Sequence, residues 1–379
     1  MLYVIAGLPA GGAERQMSLL VRAMDRQRYE PGLLIFGSAA KIHYRDVFES
    51  APWFRALELS GHSPARLFLP ILRGIDSAVR SFRPDVVHSS LNVANHMVRI
   101  AAALNRWHVP IVTSVRNDFR SGYRAHEKLA ERLLWRRSAC IACNAPRVSD
   151  QLAADLGIPE SRLAVVPNGI EDVFFDDAAA PPPGWWPAGN VALVLGRFSA
   201  QKNPLALIRA FALAARDPAA DGWTLTFVGE GPLRPEMEAA TDAAGLAGRI
   251  LIRAPETDVK ALYRASAAVV LPSLYEGMSN VCLEAAASAR LLLVSRSAGA
   301  DEIVSGGGAW EMPDDDDGAA RALVRLFGSS VAERNAAGAK GRALMRERHS
   351  VGALVAETAA IYDRLFGQPG DRRQEREVS

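Results

Sequence analysis

From its first residues the chain alternates between short apolar runs and longer stretches of helical period. "LYVIAG" at residues 2–7 is followed by "GGAERQMSLLVRAMD", whose apolar positions recur every three to four residues. Further apolar runs, "PGLLIFG", "DVVHSS", "PIVTSV", "CIACNA" and "LAVVPNG", are separated by amphipathic stretches such as "PILRGIDSAVRSFRP", "NVANHMVRIAAALNR", "EKLAERLLWRRS" and "PRVSDQLAADLG". Such alternation predicts parallel strands with helical crossovers. The period is lost over Asp176–Asn190, "DDAAAPPPGWWPAGN", which is rich in Pro, Ala and Gly and reads as a linker. It resumes with the strands "VALVLG", "WTLTFVG", "RILIRA", "AAVVLPS" and "LLLVSR", each followed or preceded by a helical stretch. After Asp314 the chain is mainly helical, and the last residues, 367–379, form a charged tail.

Two doubly wound α/β domains are therefore expected, over 1–170 and 191–350, with a linker at 171–190. A length of 379 residues fits two domains on a prior of roughly 150 residues each. In such sheets ligands bind beyond the carboxyl ends of the strands, and with two domains the cleft separating them is the expected site.

Charge sharpens the division. Residues 1–168 hold 22 Lys+Arg against 14 Asp+Glu, and the remainder holds 22 against 28. A basic half and an acidic half suggest different partners. Three cysteines exclude a disulfide framework. Cys140 and Cys143 form a C-x-x-C without a second pair, so they read as buried structural residues rather than a zinc site. No apolar run is long enough for a membrane span, and the N-terminus lacks the basic flank of a signal peptide. A cytoplasmic protein is the expectation.

Candidate chemistry gathers at strand ends. In "LPSLYEGMSNVCLEAAAS", Glu276 and Glu284 are separated by seven residues around Gly277 and a helix start, with Ser279 or Asn280 as N-cap. The backbone N–H groups of Met278, Ser279 and Asn280 would make an anion site there, and the flanking acids could accept hydrogen bonds from sugar hydroxyls. Two solvated glutamates are the plain alternative. In "VLGRFSAQKNP", Arg197 and Lys202 follow a strand and precede Asn203–Pro204, so they could neutralise a diphosphate. Gly11 and Gly12 end the first strand but lack the dinucleotide fingerprint, as do the glycines of "VGEGPLR". The run Asp314–Asp317 reads as loop and helix-start charge rather than a metal site. Cations recur at Arg116, Arg120, Arg124, Lys128, Arg132 and Arg136, interleaved with Phe119, Tyr123 and Trp135. That pattern could face anionic lipid, or be a solvated helix face.

The segments "GGAERQ", "VVPNGIED", "GRFSAQKNP", "FVGEGPL" and "LPSLYEGMSNVCLEAAAS" occur in this order and at separations that resemble the retaining nucleotide-sugar glycosyltransferases of the GT-B fold, from about Tyr3 to about Phe366. The type is that of glycosyltransferase family four and group 1, especially members that build surface polysaccharides and lipid-linked glycans. The resemblance implies two Rossmann-like domains with parallel sheets facing an interdomain cleft, an acceptor domain followed by a donor domain. It also implies a final helix, 351–366, that crosses back to the first domain. Arg197 and Lys202 would hold the donor diphosphate, and Gly277 to Asn280 its β-phosphate and sugar hydroxyls. Glu276 would lie beside the transferred sugar, Glu284 would bind the nucleotide ribose, and Gly11 and Gly12 would approach the donor or acceptor. Asn168 and Gly169 would lie near the hinge. His88, Asn95 and Arg116 would face the acceptor.

Three positions depart from the pattern. Arg116 stands where many relatives have histidine, Ser90 replaces a second histidine after His88, and Ala254 replaces a glycine. His88 is therefore either a core histidine or an acceptor contact. The expected function is transfer of a sugar from a nucleotide-sugar, UDP before GDP, to a glycan or lipid-linked acceptor, without cofactor or metal. The competing readings are an epimerase or phosphorylase of the same fold, and a non-catalytic binder of sugar nucleotides or of nucleic acid, for which no motif is present.

Overall fold

The computed structural model describes residues 1–366 except 10, 44, 46, 60–63 and 178–180. The expected charged tail, 367–379, and part of the expected linker lie outside the described residues. The chain divides into two compact units, residues 1–169 with those from Val351 onward, and Ile170–Ser350.

Among the described residues of the first unit, seven strands form one parallel sheet. They are β1 (Leu2–Ile5), β2 (Gly32–Ile35), β3 (Trp53–Ala56), β4 (Val87–Ser90), β5 (Ile111–Val115), β6 (Cys140–Cys143) and β7 (Leu163–Val165), in the order β3-β2-β1-β4-β5-β6-β7. Both faces are covered, which is why the central strands are apolar at nearly every position. Tyr3 and Ile5 enter one core cluster and Leu2 and Val4 the other.

The second unit repeats the plan with β8 (Asn190–Leu195), β9 (Trp223–Val228), β10 (Ile250–Arg253), β11 (Ala268–Leu271), β12 (Leu292–Ser295) and β13 (Ala309–Met312), ordered β10-β9-β8-β11-β12-β13. Here too Ala192 and Val194 face one cluster and Leu193 and Leu195 the other. Two parallel sheets wrapped by helices make this an α/β protein with two doubly wound units. The order reverses where β1 meets β4 and where β8 meets β11, and these reversals are where a doubly wound sheet opens a crevice.

The edge strands β3 and β13 are absent from the alternation read in the sequence. β3, "WFRA", is half-buried throughout, and β13, "AWEM", alternates only weakly. Of residues 171–190, expected as a linker, the described ones belong to the second unit, where Phe174, Trp185 and Trp186 pack on its core.

The helix Val351–Phe366 belongs to the first unit. Leu354, Ile361 and Tyr362 enter its core, and Asp363 pairs with Arg28 at 2.6 Å. The far end of that unit is pinned by Gln16 in the helix Gly12–Ala23. Its carboxamide donates to Gly169 O at 2.9 Å and accepts from Gly169 N at 2.7 Å.

The recurring cations begin ahead of the helix Ala125–Leu134, which carries Lys128 and Arg132. Arg116 lies in the loop after β5, and Arg120 in the short helix Phe119–Gly122 forks onto Asp155 at 2.8 Å. Phe119, Tyr123 and Trp135, read as interleaved surface aromatics, are all buried. The exposed apolar side chains of the helix Ala125–Leu134 are instead Leu129 and Leu133. The same helix turns Glu131 inward to a fully buried Arg99. Arg99 donates to Glu131 at 2.7 Å, to Thr113 Oγ1 at 2.8 Å and to Ser138 Oγ at 2.8 Å, and His96 contacts the other Glu131 oxygen at 3.2 Å. Burial pushes the Glu131 carboxyl up, but Arg99 and His96 outweigh it, and the net shift is downward.

Glu131→Ala leaves Arg99 buried without its counter-charge, which typically costs about 3–5 kcal/mol. Urea unfolding of the variant is expected to show a loss of that order. The depressed carboxyl adds a pH dependence, because its contribution is complete above the ordinary carboxylate range and is lost as pH falls through the lower folded value. The Ala variant should lack that component.

Candidate active site

The loops at the β8–β11 reversal bring two separate stretches together. After β8 the chain passes Gly196 and Arg197, makes a tight turn over Ala200–Lys202, and enters the helix Pro204–Ala214. Pro204 sits in the first turn as expected. Asn203, at the N-cap position before it, is left-handed at φ 49° and makes no side-chain capping bond. After β11, Leu274 N donates to Gln201 O at 2.8 Å and the Gln201 carboxamide donates to Tyr275 O at 2.9 Å. These bonds, one between backbones and one from a side chain to a backbone, tie the two loops together. Between them Lys202 Nζ reaches Glu276 Oε1 at 2.6 Å, with both side chains mostly buried. Two residues chosen 74 positions apart in the sequence thus form one ion pair.

The rest of the stretch follows from that anchor. Gly277 turns the chain into the helix Asn280–Ala287, whose N-cap is Ser279. The Ser279 side chain is buried and makes no cap bond to the helix. Glu284 lies one turn in, four residues after Asn280 and so on the same face. It is buried, and Tyr263 Oη donates to its Oε2 at 3.0 Å. Arg197 is exposed at the end of β8, and among the described residues no carboxylate pairs with it.

Three supports were not legible beforehand. Gly299, after β12, has φ +69°, and a Cβ there would sit 2.6 Å from Gly277 O and 3.2 Å from Glu276 Cβ. Tyr263 positions Glu284, and Ser295 Oγ donates to Ser273 O at 2.5 Å beneath the same loop. The only sequence signal was the small-residue run "SAGA" at a strand end. The "VGEG" glycines have a packing role. Cβ atoms at Gly229 and Gly231 would lie 2.0 Å from Gly196 O and 2.4 Å from Phe198 O, so the β9 loop lies directly on the β8 loop. The acid run is also structural, since Asp315 caps the helix Asp316–Phe327 at 2.7 Å and Asp316 pairs with Arg209 at 2.6 Å.

In the first unit, Gly11 is the extended N-cap of its helix, and a Cβ there would run into the Glu14 carboxylate. Gly12 is exposed. His88 and Asn95, expected to face an acceptor, are interior. His88 is 2 % exposed, with Nδ1 on Tyr362 Oη at 2.6 Å and Nε2 on Ser114 Oγ at 2.8 Å. Burial first, and the charge of Arg116 second, lower its pKa to about 3, so the ring is neutral. Asn95 is wholly buried, accepting from Ser89 Oγ at 2.7 Å and donating to Ser114 O at 2.8 Å. With these atoms engaged in the interior, neither side chain is presented to a ligand. Arg116 does stand at the carboxyl edge, where Nη1 donates to Asn168 Oδ1 at 2.7 Å. Cys140 and Cys143 are buried, and burial pushes both thiols up.

Residues 10–173 match the family described as Glycosyltransferase Family 4, and residues 189–329 that described as Glycosyl transferases group 1. The chain is 30% identical over 331 residues to glycogen synthase of Mycobacterium tuberculosis, covering 83% of this chain and 76% of that protein. It is 24% identical over 291 residues to an alpha-1,4-N-acetyl-D-galactosaminyltransferase of Campylobacter jejuni, covering 74% and 75%. Among solved structures, Anabaena HepE in complex with UDP-glucose aligns at a TM-score of 0.79 with 16% identity, over 96% of this chain and 99% of that one.

Gly299→Ala should be more damaging than Gly245→Ala. Both glycines have positive φ, but a Cβ at Gly245 meets nothing within 4 Å. Alanine at a positive φ costs on the order of 1 kcal/mol in either case. The additional loss at position 299, read by thermal unfolding, reports the clash with the Glu276–Gly277 turn. Equal losses would show that the turn yields freely.

Proposed function

The chain belongs to the GT-B glycosyltransferases of the family 4 and group 1 type, and on that premise we propose that it moves a hexosyl unit from a UDP-sugar to a glycan or lipid-linked glycan acceptor, in the cytoplasm, with retention at the anomeric carbon and without a metal. The observation that carries this reading is the Lys202–Glu276 pair, set beside the start of the helix Asn280–Ala287 with Glu284 one turn inside. Cations and helix N–H groups suit a diphosphate, and carboxylates on either side suit sugar hydroxyls.

In the reaction the bond from the anomeric carbon to the diphosphate oxygen breaks, and negative charge develops on that oxygen. Arg197, Lys202 and the helix start supply fixed positive potential there, the role a metal ion plays elsewhere. The acceptor hydroxyl bonds to the anomeric carbon on the face the diphosphate leaves, and its proton passes to the departing phosphate. Glu276 orients the sugar hydroxyls and, through its ion pair, holds Lys202 in place. Glu284, oriented by Tyr263, receives the nucleotide ribose. The names of two similar proteins support the ligand classes. HepE was solved with UDP-glucose, and the Campylobacter enzyme is named for a glycan on diphosphate-linked undecaprenol.

A thermal-shift series with UDP-, GDP- and ADP-sugars in EDTA tests the donor. A ligand at 100 times its Kd stabilises by about 2.7 kcal/mol, and the UDP series is expected to give that shift. Lys202→Ala and Glu284→Ala should each lower turnover by roughly 10²-fold or more. Near-normal turnover in both would refute the site.

Contact with an anionic membrane surface is part of the same reading. It rests on Leu129 and Leu133, 57% and 69% exposed, beside Arg132 and Arg136. No described helix is long and apolar enough to cross a membrane. Co-sedimentation with vesicles rich in phosphatidylglycerol should fall when Leu129 and Leu133 are both changed to Ser. Unchanged binding would remove this surface from the proposal.

A further inference from the structure

At the amino edge of the second sheet, opposite the edge that carries Lys202 and Glu276, arginines gather from three elements. Arg264 lies in the last turn of the helix Val259–Ala265, ahead of β11, and Arg290 lies just ahead of β12. Arg342 and Arg346 belong to the helix Val331–Arg348, where with Gly338 they recur every fourth residue and share one face. Gly338 sets that face directly on the turn before β12, because a Cβ there would lie 2.1 Å from Ala289 O. Arg342 Nη1 donates to Asp177 Oδ1 at 2.5 Å and its Nη2 donates to Phe175 O. Arg346 lies over the Phe175 ring, 5.6 Å from its centroid.

The charges are not balanced. Arg290 donates only to backbone carbonyls, Ser288 O at 3.2 Å and Ser266 O at 3.3 Å. Among the described residues no carboxylate pairs with Arg264, Arg290 or Arg346. Burial first, and the charges of Arg264 and Arg342 after it, lower the pKa of Arg290. The exposed Asp177 carboxyl is held below its ordinary range by its bond to Arg342 and by the charges of Arg264 and Arg346. Like charges held this close oppose folding, so an anion that completed the group would be bound favourably. The group is also reachable. Arg264, Arg290 and Arg342 are half-buried and Arg346 is exposed. Arg342 and Arg346 line an open pocket of about 630 Å³ with Ala289, Ala339, Ala343 and Glu347, and Glu347 has Arg348 at 3.8 Å. Every cation of the group is arginine, whose planar fork matches phosphate oxygens, and the alanines leave room for an organic portion.

We propose that Arg264, Arg290, Arg342 and Arg346 form a second anion site in this unit, one that takes a phosphate monoester. Arg342, fixed by Asp177 and Phe175 O, frames the site, and the other three supply the donors. The phosphate belongs either to a small organic molecule or to a lipid headgroup. The site lies at the other sheet edge from the loops of Lys202 and Glu276, so the proposal goes beyond the sugar-transfer reading and does not depend on it.

Two binding arms separate these sources, each run on the full chain with UDP in excess. In one, glycerol 3-phosphate and glycerol are titrated. In the other, the protein is mixed with phosphatidylcholine vesicles with and without phosphatidic acid, which carries the same phosphate monoester. Binding that requires the phosphate is expected in one arm, and that arm names the source. Arg264→Met and Arg346→Gln should each weaken it roughly tenfold or more, the worth of one charge-assisted hydrogen bond. Lys202→Ala should leave it unchanged, which separates this site from the donor loops whether or not UDP binds there. Arg264→Met keeps the length of the side chain and removes its charge, so without ligand its unfolding midpoint should rise. An arginine that serves only the fold would not give that gain, and Arg346, being exposed, guards against misfolding of the first variant. The proposal is overturned by absence of binding in both arms or by a lower midpoint for Arg264→Met. It is equally overturned by binding that Lys202→Ala removes and the arginine variants retain.

Discussion

A parallel sheet sends every strand to the same edge, and the site in each unit depends on that constraint. The loops that follow β8 and β11 leave neighbouring strands at the point where the order reverses. They therefore start side by side, and only two backbone-directed bonds, at Leu274 and Gln201, are needed to register them. The Lys202–Glu276 pair is the consequence. An ion pair at 2.6 Å between mostly buried side chains needs both loops held closely, and glycines at 229, 231 and 299 allow the third and fourth loops to press against them.

In the reaction proposed above, the pair would also set the chemistry of the site. A lysine bonded to a glutamate is less free to attract an anion than an isolated one, but it is far better positioned. Positioning is what electrostatic catalysis rewards, because a preorganised charge needs no reorganisation when the leaving group develops its own. Tyr263 does for Glu284 what Lys202 does for Glu276, holding a buried carboxylate by one strong donor. Each acid that the sequence singled out is thus held by a partner from another loop or helix.

Around the helix Val351–Phe366 the first unit encloses Tyr3, His88, Ser114 and Tyr362 in a closed network, and Arg99 with Glu131 in another. These groups are satisfied internally, so His88 and Asn95 are structural despite lying on the strand and helix of a functional edge. Arg116 differs in standing at the carboxyl edge, where its guanidinium donates to Asn168 and pairs with no carboxylate among the described residues. In the first unit, the bonds that His88 and Asn95 make in the interior, more than their residue type or strand position, mark them as structural.

Much of the fold was legible because the central strands are buried on both faces and must be apolar at almost every position, as in "LYVIAG" and "VALVLG". The edge strands Trp53–Ala56 and Ala309–Met312 were not, since a charged residue interrupts each short run, whereas the edges Leu163–Val165 and Ile250–Arg253 keep three apolar residues in a row. Local chemistry likewise announced Lys202, Glu276, Gly277 and Glu284, because a glycine, an acid and a helix start in one stretch are a local signal. Their pairing was decided by tertiary structure, as were the burial of His88 and Asn95, the inward turn of Glu131 and the roles of Tyr263 and Gly299. Periodicity reports which face of an element is apolar, but a hydrogen bond to a residue dozens or hundreds of positions away leaves no mark on either neighbourhood. What the sequence by itself determined was the two-sheet plan and the edge where chemistry would gather. Which polar atoms there are satisfied within the protein, and by which partners, only the packed chain could decide.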